Sequence, residues 1–313
     1  MKIQTACILL LLVIAGTAYT KSMVGGDAFF HYQYEDSGDN EFLFKRAYLT
    51  VSNKVNDNVS YKFQADIGSG GPTAYSLYLK NANIALTTDF GKLTLGMQGM
   101  NMFKVQENTW GYRFISKMPM DLAKFSSSAD LGIRWDQKIG GLSANVMITN
   151  GSGYKRKESD KYKKISASTT LGQTKLKRGF NAGAVVSHEG YDYADATSGE
   201  TSMGSSLVVG GFGGTVVGAL RIGAEYSLKT TSDNVDVTAS AFSVYANYMV
   251  NKNLSVFGRH DILDDGSTSS QLSILGANYM HEKVLSIAPN ILIGADDNQD
   301  PKMTYRLSFR FNI

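Results

Sequence analysis

The chain has 313 residues, with 31 Lys and Arg against 28 Asp and Glu and a formal net charge of +3. So small an excess of positive charge argues against a nucleic-acid partner. The one cysteine, Cys7, sits in an N-terminal apolar run, which excludes a disulfide framework and leaves stability to a large core or a closed ladder of backbone hydrogen bonds.

Met1 and Lys2 open the chain, and "ACILLLLVIAGTA" follows, closing on the small residues Gly16, Thr17 and Ala18. A charged start, an apolar stretch and a small-residue end predict a signal peptide over residues 1–18, cleaved after Ala18 or alternatively Thr20. The run is too short and too early for a membrane span. Cys7 precedes the end of the run, which argues against lipidation. Residues 19–313 are then expected to form one domain.

No later stretch supplies the ~20 apolar residues of a spanning helix. The nearest, "LVVGGFGGTVVGAL" from Leu207 to Leu220, is broken by glycines and suits strand and turn better. Period-2 alternation recurs instead. In "VSYKFQADIG", Val59, Tyr61, Phe63, Ala65 and Ile67 share one face and Ser60, Lys62, Gln64 and Asp66 the other. "LGIRWDQ", "LSANVMITN", "LRIGAEYSLK" and the closing "TYRLSFRFNI" follow the same rule. Lys80 breaks the alternation of its strand.

Alternation alone fits a soluble sandwich or a membrane barrel. The apolar faces are rich in Ala, Gly and Tyr, which suits a smooth lipid-facing wall better than a densely filled core. Short breaks at 53–58, 87–91, 138–141, 251–253 and 281–283 alternate with longer polar ones at 68–74, 151–163, 188–204, 230–236 and 264–269. That rhythm predicts a transmembrane antiparallel β-barrel of about 16 strands with both termini on the periplasmic side. Gly210 to Gly214 reads equally well as a flat subunit contact or as relief for a coiling strand.

From Gly99 to Ser128 the alternation stops. A break of that length is uncommon unless functional. It follows the fifth strand, so it opens externally as the third external loop, and folding it inward would bury Met100, Met102, Phe103, Trp110, Phe114, Ile115 and Met118. Its expected constriction residues are Lys104, Glu107, Trp110, Tyr112, Arg113, Lys117, Asp121 and Lys124. Trp110 and Tyr112 beside Arg113 read either as a stacking platform for solute or as anchors to the wall.

These features together resemble the bacterial outer-membrane porins. The stretches "FKRAYLTVSNKVNDNVSYKFQADIG", "GKLTLGMQG" and "SVFGRHDILDD" are most similar to the branch that includes the phosphate-selective porins. Two departures stand out: the chain ends on Ile313 rather than an aromatic residue, and its basic residues are interleaved with acids instead of forming dense runs. The resemblance implies an outer-membrane location, a homotrimer, contact with outer-membrane lipid and insertion by the barrel assembly machinery. It also implies passive diffusion of small hydrophilic solutes and ions, with no enzymatic step and no cofactor. A solute-specific channel for phosphate or another anion is the alternative within transport; a secreted all-β adhesin or binding protein is the alternative outside it.

The lumen wall is expected to carry Arg46, Lys62, Arg134, Arg221, Lys229, Arg259, Arg306 and Arg310, opposed by Asp66, Asp136, Glu225 and Asp261. The surplus predicts weak anion preference. Arg134 with Asp136, Arg221 with Glu225 and Arg259 with Asp261 read equally well as wall ion pairs, and Asp27 and Glu35 of the first strand stand ready to neutralise Arg306 and Arg310. His31, His188, His260 and His281 show no metal-ligand spacing.

Overall fold

The computed structural model describes residues 22–69, 74–194, 199–297 and 299–313; the expected signal peptide lies outside them. Strands β1 (Met23–Glu35), β2 (Asn40–Lys54), β3 (Val59–Ser69), β4 (Tyr75–Thr88) and β5 (Gly91–Gly99) lead into two short helices, α1 (Lys104–Trp110) and α2 (Pro119–Leu122). There follow β6 (Ala129–Ile139), β7 (Leu142–Thr149), β8 (Lys164–Gly172), β9 (Gly179–Ala194), β10 (Thr201–Val217) and β11 (Leu220–Ser232). The chain ends with β12 (Val237–Met249), β13 (Leu254–Asp264), β14 (Ser269–His281), β15 (Leu285–Asp296) and β16 (Lys302–Asn312).

Each strand pairs antiparallel with its sequence neighbours, and β1 pairs with β16, so the 16 strands form a closed barrel. The seam is secured at the C-terminus: Gly26 N–H donates to the Ile313 carbonyl at 2.8 Å and Ile313 N–H returns a bond to Gly26 at 2.9 Å. Outside it, Phe30 stacks on Phe309 with ring centroids 4.5 Å apart. Closure leaves no unpaired edge, which is what allows a sheet to sit in hydrocarbon.

The alternation in sequence is an alternation of faces. On β6, Leu131, Ile133 and Trp135 are 46%, 52% and 52% exposed, and they form one band with Ile148, Ile222 and Leu275 on other strands. The opposite parity points inward. Its departures are bulges. Gln64 pairs with Asn81 and Ala65 with Leu79, so Lys80 is an extra residue and both Lys80 and Asn81 face inward. The same shift between Phe29 and Phe30 makes Lys45 extra, beside Arg46. A bulge re-aims side chains in this way, which is why Lys80 defies the period.

Two sequence expectations need correction. The break at 188–204 is mostly strand, because β9 continues to Ala194 and β10 begins at Thr201, with Glu189 opposite Ser206 and Tyr193 opposite Ser202. Polar side chains do not end a strand whose ladder bonds continue beyond the apolar band. The segment between β5 and β6 is also not free of regular structure, since it carries α1 and α2. Among the described residues no helix is long and apolar enough to cross a membrane, which says nothing of strands.

Candidate functional site

The β5–β6 segment packs on the inner faces of distant strands. Trp110 is fully buried, edge-on to Tyr245 on β12 and Phe257 on β13 at 5.6 and 5.8 Å, with the Arg259 guanidinium 5.2 Å from its ring. Its carbonyl accepts from Asn247 Nδ2 at 2.8 Å and Arg221 Nη2 at 3.3 Å. Tyr112 Oη bonds Ser255 Oγ at 2.6 Å, and Asn181 Nδ2 donates to Thr109 Oγ1 at 3.0 Å. Met102, Phe103, Met120 and Phe125 bury against Val185, Val208, Phe212 and Ala241. These apolar side chains of β9, β10 and β12 sit on the inward parity, where a water-filled interior would favour polar groups.

Two glycines make the docking sterically feasible. Gly111 ends α1 at φ +80°, and a Cβ there would lie 2.6 Å from Arg221 Nη2. At Gly214 a Cβ would meet Thr109 Cγ2 and Leu176 Cδ2, each at 2.9 Å. Part of the Gly210 to Gly214 run therefore admits the segment from inside.

Three residues expected on a watered wall are buried beneath this cover instead. Arg259 and Asp261 have side chains at 0% exposure, joined by Nε–Oδ1 at 2.7 Å and Nη2–Oδ2 at 2.6 Å. A second Nη2 contact reaches the Lys117 carbonyl at 2.6 Å, so the pair ties the segment down. Glu225 is also buried, with neither carboxylate oxygen bonded to another protein group, and the expected partner Arg221 turns to Trp110 instead. Parity places these side chains inside; the overlying segment separates them from water.

The uncovered wall is different. Arg46 Nη1 and Lys80 Nζ both donate to Tyr48 Oη, at 2.8 and 2.9 Å. Asp66, buried, takes Arg46 Nε at 3.3 Å and Lys80 Nζ at 3.8 Å, and accepts from Tyr154 Oη at 2.5 Å. Tyr154 belongs to the β7–β8 connection, so a second long loop reaches inward. Burial and donation to Asp66 both push its phenol well above the usual tyrosine range. Arg134 pairs with Asp136, and Arg310 with Asp27 at 2.8 Å, while Arg306 donates to Gln33 Oε1 at 3.0 Å.

Facing that wall, Glu107 binds Lys104 Nζ at 2.7 Å and Arg113 Nε at 3.4 Å. Burial alone would raise the Glu107 carboxyl; Lys104 and Arg113 outweigh it and hold the group below its ordinary value. Arg113 and Lys117 also reach Asp121, at 3.4 and 3.2 Å, and Lys124 stays exposed at φ +58°. Between loop and wall lies a cavity of about 820 Å³ lined by Tyr48, Lys62, Lys80, Lys104, Glu107 and Arg113 among others. It shares Lys92, Lys104, Arg134 and Asp136 with a second cavity of about 570 Å³ towards the short turns. Lys62 joins this open space, while Lys229 is half-buried on β11.

Lys80 and Lys45 are inward cations that the expected lumen wall did not include. Their signal was the break itself: a charge at an apolar parity, followed by resumed alternation on the other.

No protein-family model matches the chain, and no curated protein matches it. Solved structures do share its architecture. The anion-selective porin from Comamonas acidovorans superposes with a TM-score of 0.73 at 10% identity, covering 94% of this chain and 99% of that one. OmpT, expressed in the outer membrane of Vibrio cholerae, gives 0.69 at 13%, covering 93% and 97%. The outer membrane channel DcaP of Acinetobacter baumannii gives 0.64 at 16%, covering 94% and 97%. The fold is that of the bacterial outer-membrane porins.

Proposed function

We propose that the protein is an outer-membrane channel through which small hydrophilic solutes diffuse passively, with a weak preference for anions. The observation that carries this reading is the cavity between the β5–β6 loop and the bare wall, whose lining has eight Lys and Arg residues, Lys62, Lys80, Lys104 and Arg113 among them, against three carboxylates, Asp27, Glu107 and Asp136. A constriction bordered by low-dielectric protein focuses such a surplus into a potential of several kT. Mobile salt screens it over about 8 Å at 0.15 M, so selectivity weakens as ionic strength rises. Phosphate specificity forms no part of the proposal, because acids punctuate the cationic wall.

The same reading places residues 1–18 as a cleaved signal and the mature barrel in the outer membrane after delivery to the barrel assembly machinery. A trimer is its expected assembly; a trimer form of Vibrio cholerae OmpT is among the similar structures. In planar bilayers a tenfold KCl gradient is expected to give stable current steps and a reversal potential displaced to the anion side. Folded protein without current steps would refute channel function.

A further inference from the structure

We propose that a side pocket between the loop and strands β1, β2 and β16 binds a small carboxylate carrying an apolar body. The proposal rests on the channel reading above and deepens it. The pocket has a volume of about 240 Å³, and the charged side chains lining it are all basic: Lys45, Arg46, Arg113, Lys117 and Arg306. No carboxylate is among its lining residues. Asp66 and Asp121 partly neutralise Arg46, Arg113 and Lys117 from behind. Lys45 and Arg306, by contrast, form no ion pair among the described residues. Two positive charges therefore stand at the pocket wall without a carboxylate in direct contact, with Glu41 and Glu35 acting on them only from beyond ion-pair distance.

Apart from His31 and Ser116, the rest of the lining is apolar. Phe29, Phe114 and Ile115 are buried, and Leu122 is partly exposed beside them. A hydrated inorganic anion would satisfy the cations and leave this ledge against water. A neutral hydrophobe would cover the ledge and leave the cations unanswered. A carboxylate on a ring or short branched chain answers both, since a charge-assisted contact and burial of apolar area add at one site.

Strand β2 builds this arrangement through its irregularity. Strict alternation from Arg46 would point Lys45 at lipid; the shift between Phe29 and Phe30 brings both cations to the inner face. The pocket opens on the main path, sharing Phe29, Arg113 and Phe114 with the larger cavity. An occupant there narrows the route and is readable as a loss of current.

The test uses the purified full-length barrel in planar bilayers with KCl, and benzoate as the probe. Acetate and inorganic phosphate supply charge without a ring, and benzamide a ring without charge. Benzoate is expected to reduce the single-channel current with a half-blocking concentration about tenfold below those of acetate and phosphate. Benzamide is expected to leave the current unchanged, and K45Q/R306Q to weaken the benzoate block by about tenfold. Should that double variant fail to show heat-modifiable gel migration, K45Q alone carries the test with a smaller loss. Equal block by benzoate, acetate and phosphate, block by benzamide, or no benzoate block at all would each overturn the pocket. The reversal potential of the same membranes separates the two readings. Anion-side reversal without benzoate block removes the pocket alone, whereas absent channels or cation-side reversal remove the channel reading.

Discussion

The two sides of the barrel interior differ in what their inward side chains meet. On β9 to β15 the inner face carries Val185, Phe212, Tyr245, Phe257 and Ile274, buried under the β5–β6 loop. On β2 to β6 it carries Arg46, Lys62, Lys80, Arg134 and Asp136, facing open cavities. The same strand chemistry thus serves as a core on one side and as a wetted wall on the other. The difference teaches that parity gives the direction of a side chain, while the overlying segment decides its environment. It also shows what holds the loop to that side: Trp110 and Tyr112 find aromatic partners in Tyr245 and Phe257 there, while Phe114 reaches Phe29 on β1.

The largest effect expected on this contrast comes from Trp110→Ala. It removes a fully buried ring wedged among Tyr112, Tyr245 and Phe257, a change that costs about 3–5 kcal/mol in a packed core. The ladder of 16 strands does not depend on that ring. The barrel should therefore retain heat-modifiable migration while single-channel conductance rises severalfold as the loop leaves its wall.

Next in size is R259M. It strands Asp261 in a site with 0% exposure, and an unpaired buried charge costs about 3–5 kcal/mol. The double variant R259M/D261L should recover most of the thermal stability in detergent. If both variants melt alike, the buried pair does not hold the loop.

On the bare wall K80Q is expected to lower the anion-to-cation permeability ratio by about twofold, because one of the cations lining the larger cavity disappears while Asp66 remains. Unchanged selectivity would mean that the inward bulge residue does not face the ion path.

The smallest effect concerns pH. Lys104 and Arg113 hold the Glu107 carboxyl below its ordinary value. A depressed carboxylate stabilises the folded state above its unfolded pKa of ~4.3 and loses that contribution as pH falls through the lower folded value. Acidification below about pH 4 should thus loosen the loop slightly and, by discharging Glu107, raise anion preference. E107Q should show the raised preference at neutral pH and no further change from this group on acidification.

Much of the fold was legible because a period-2 pattern is a direct imprint of a sheet with two unlike faces. The strand number, the loop at Gly99 to Ser128 and the alternating final strand β16 all followed from it. What stayed hidden depends on long-range contact. Arg259, Asp261 and Glu225 have the right parity for a lumen wall, and only the docked loop buries them. Lys45 and Lys80 have the wrong parity, and only the pairing register shows them to be bulge residues. The interior apolar side chains of β10, β12 and β13 did offer a clue, because both faces of those strands carry hydrophobic residues, as a strand covered on both sides requires.

The reversal potential of the reconstituted protein across a KCl gradient tests the central claim most directly. Displacement to the anion side, diminishing as salt rises and reduced in K80Q, is the predicted result. Displacement to the cation side in wild-type protein would contradict the assignment of the charged wall to the ion path.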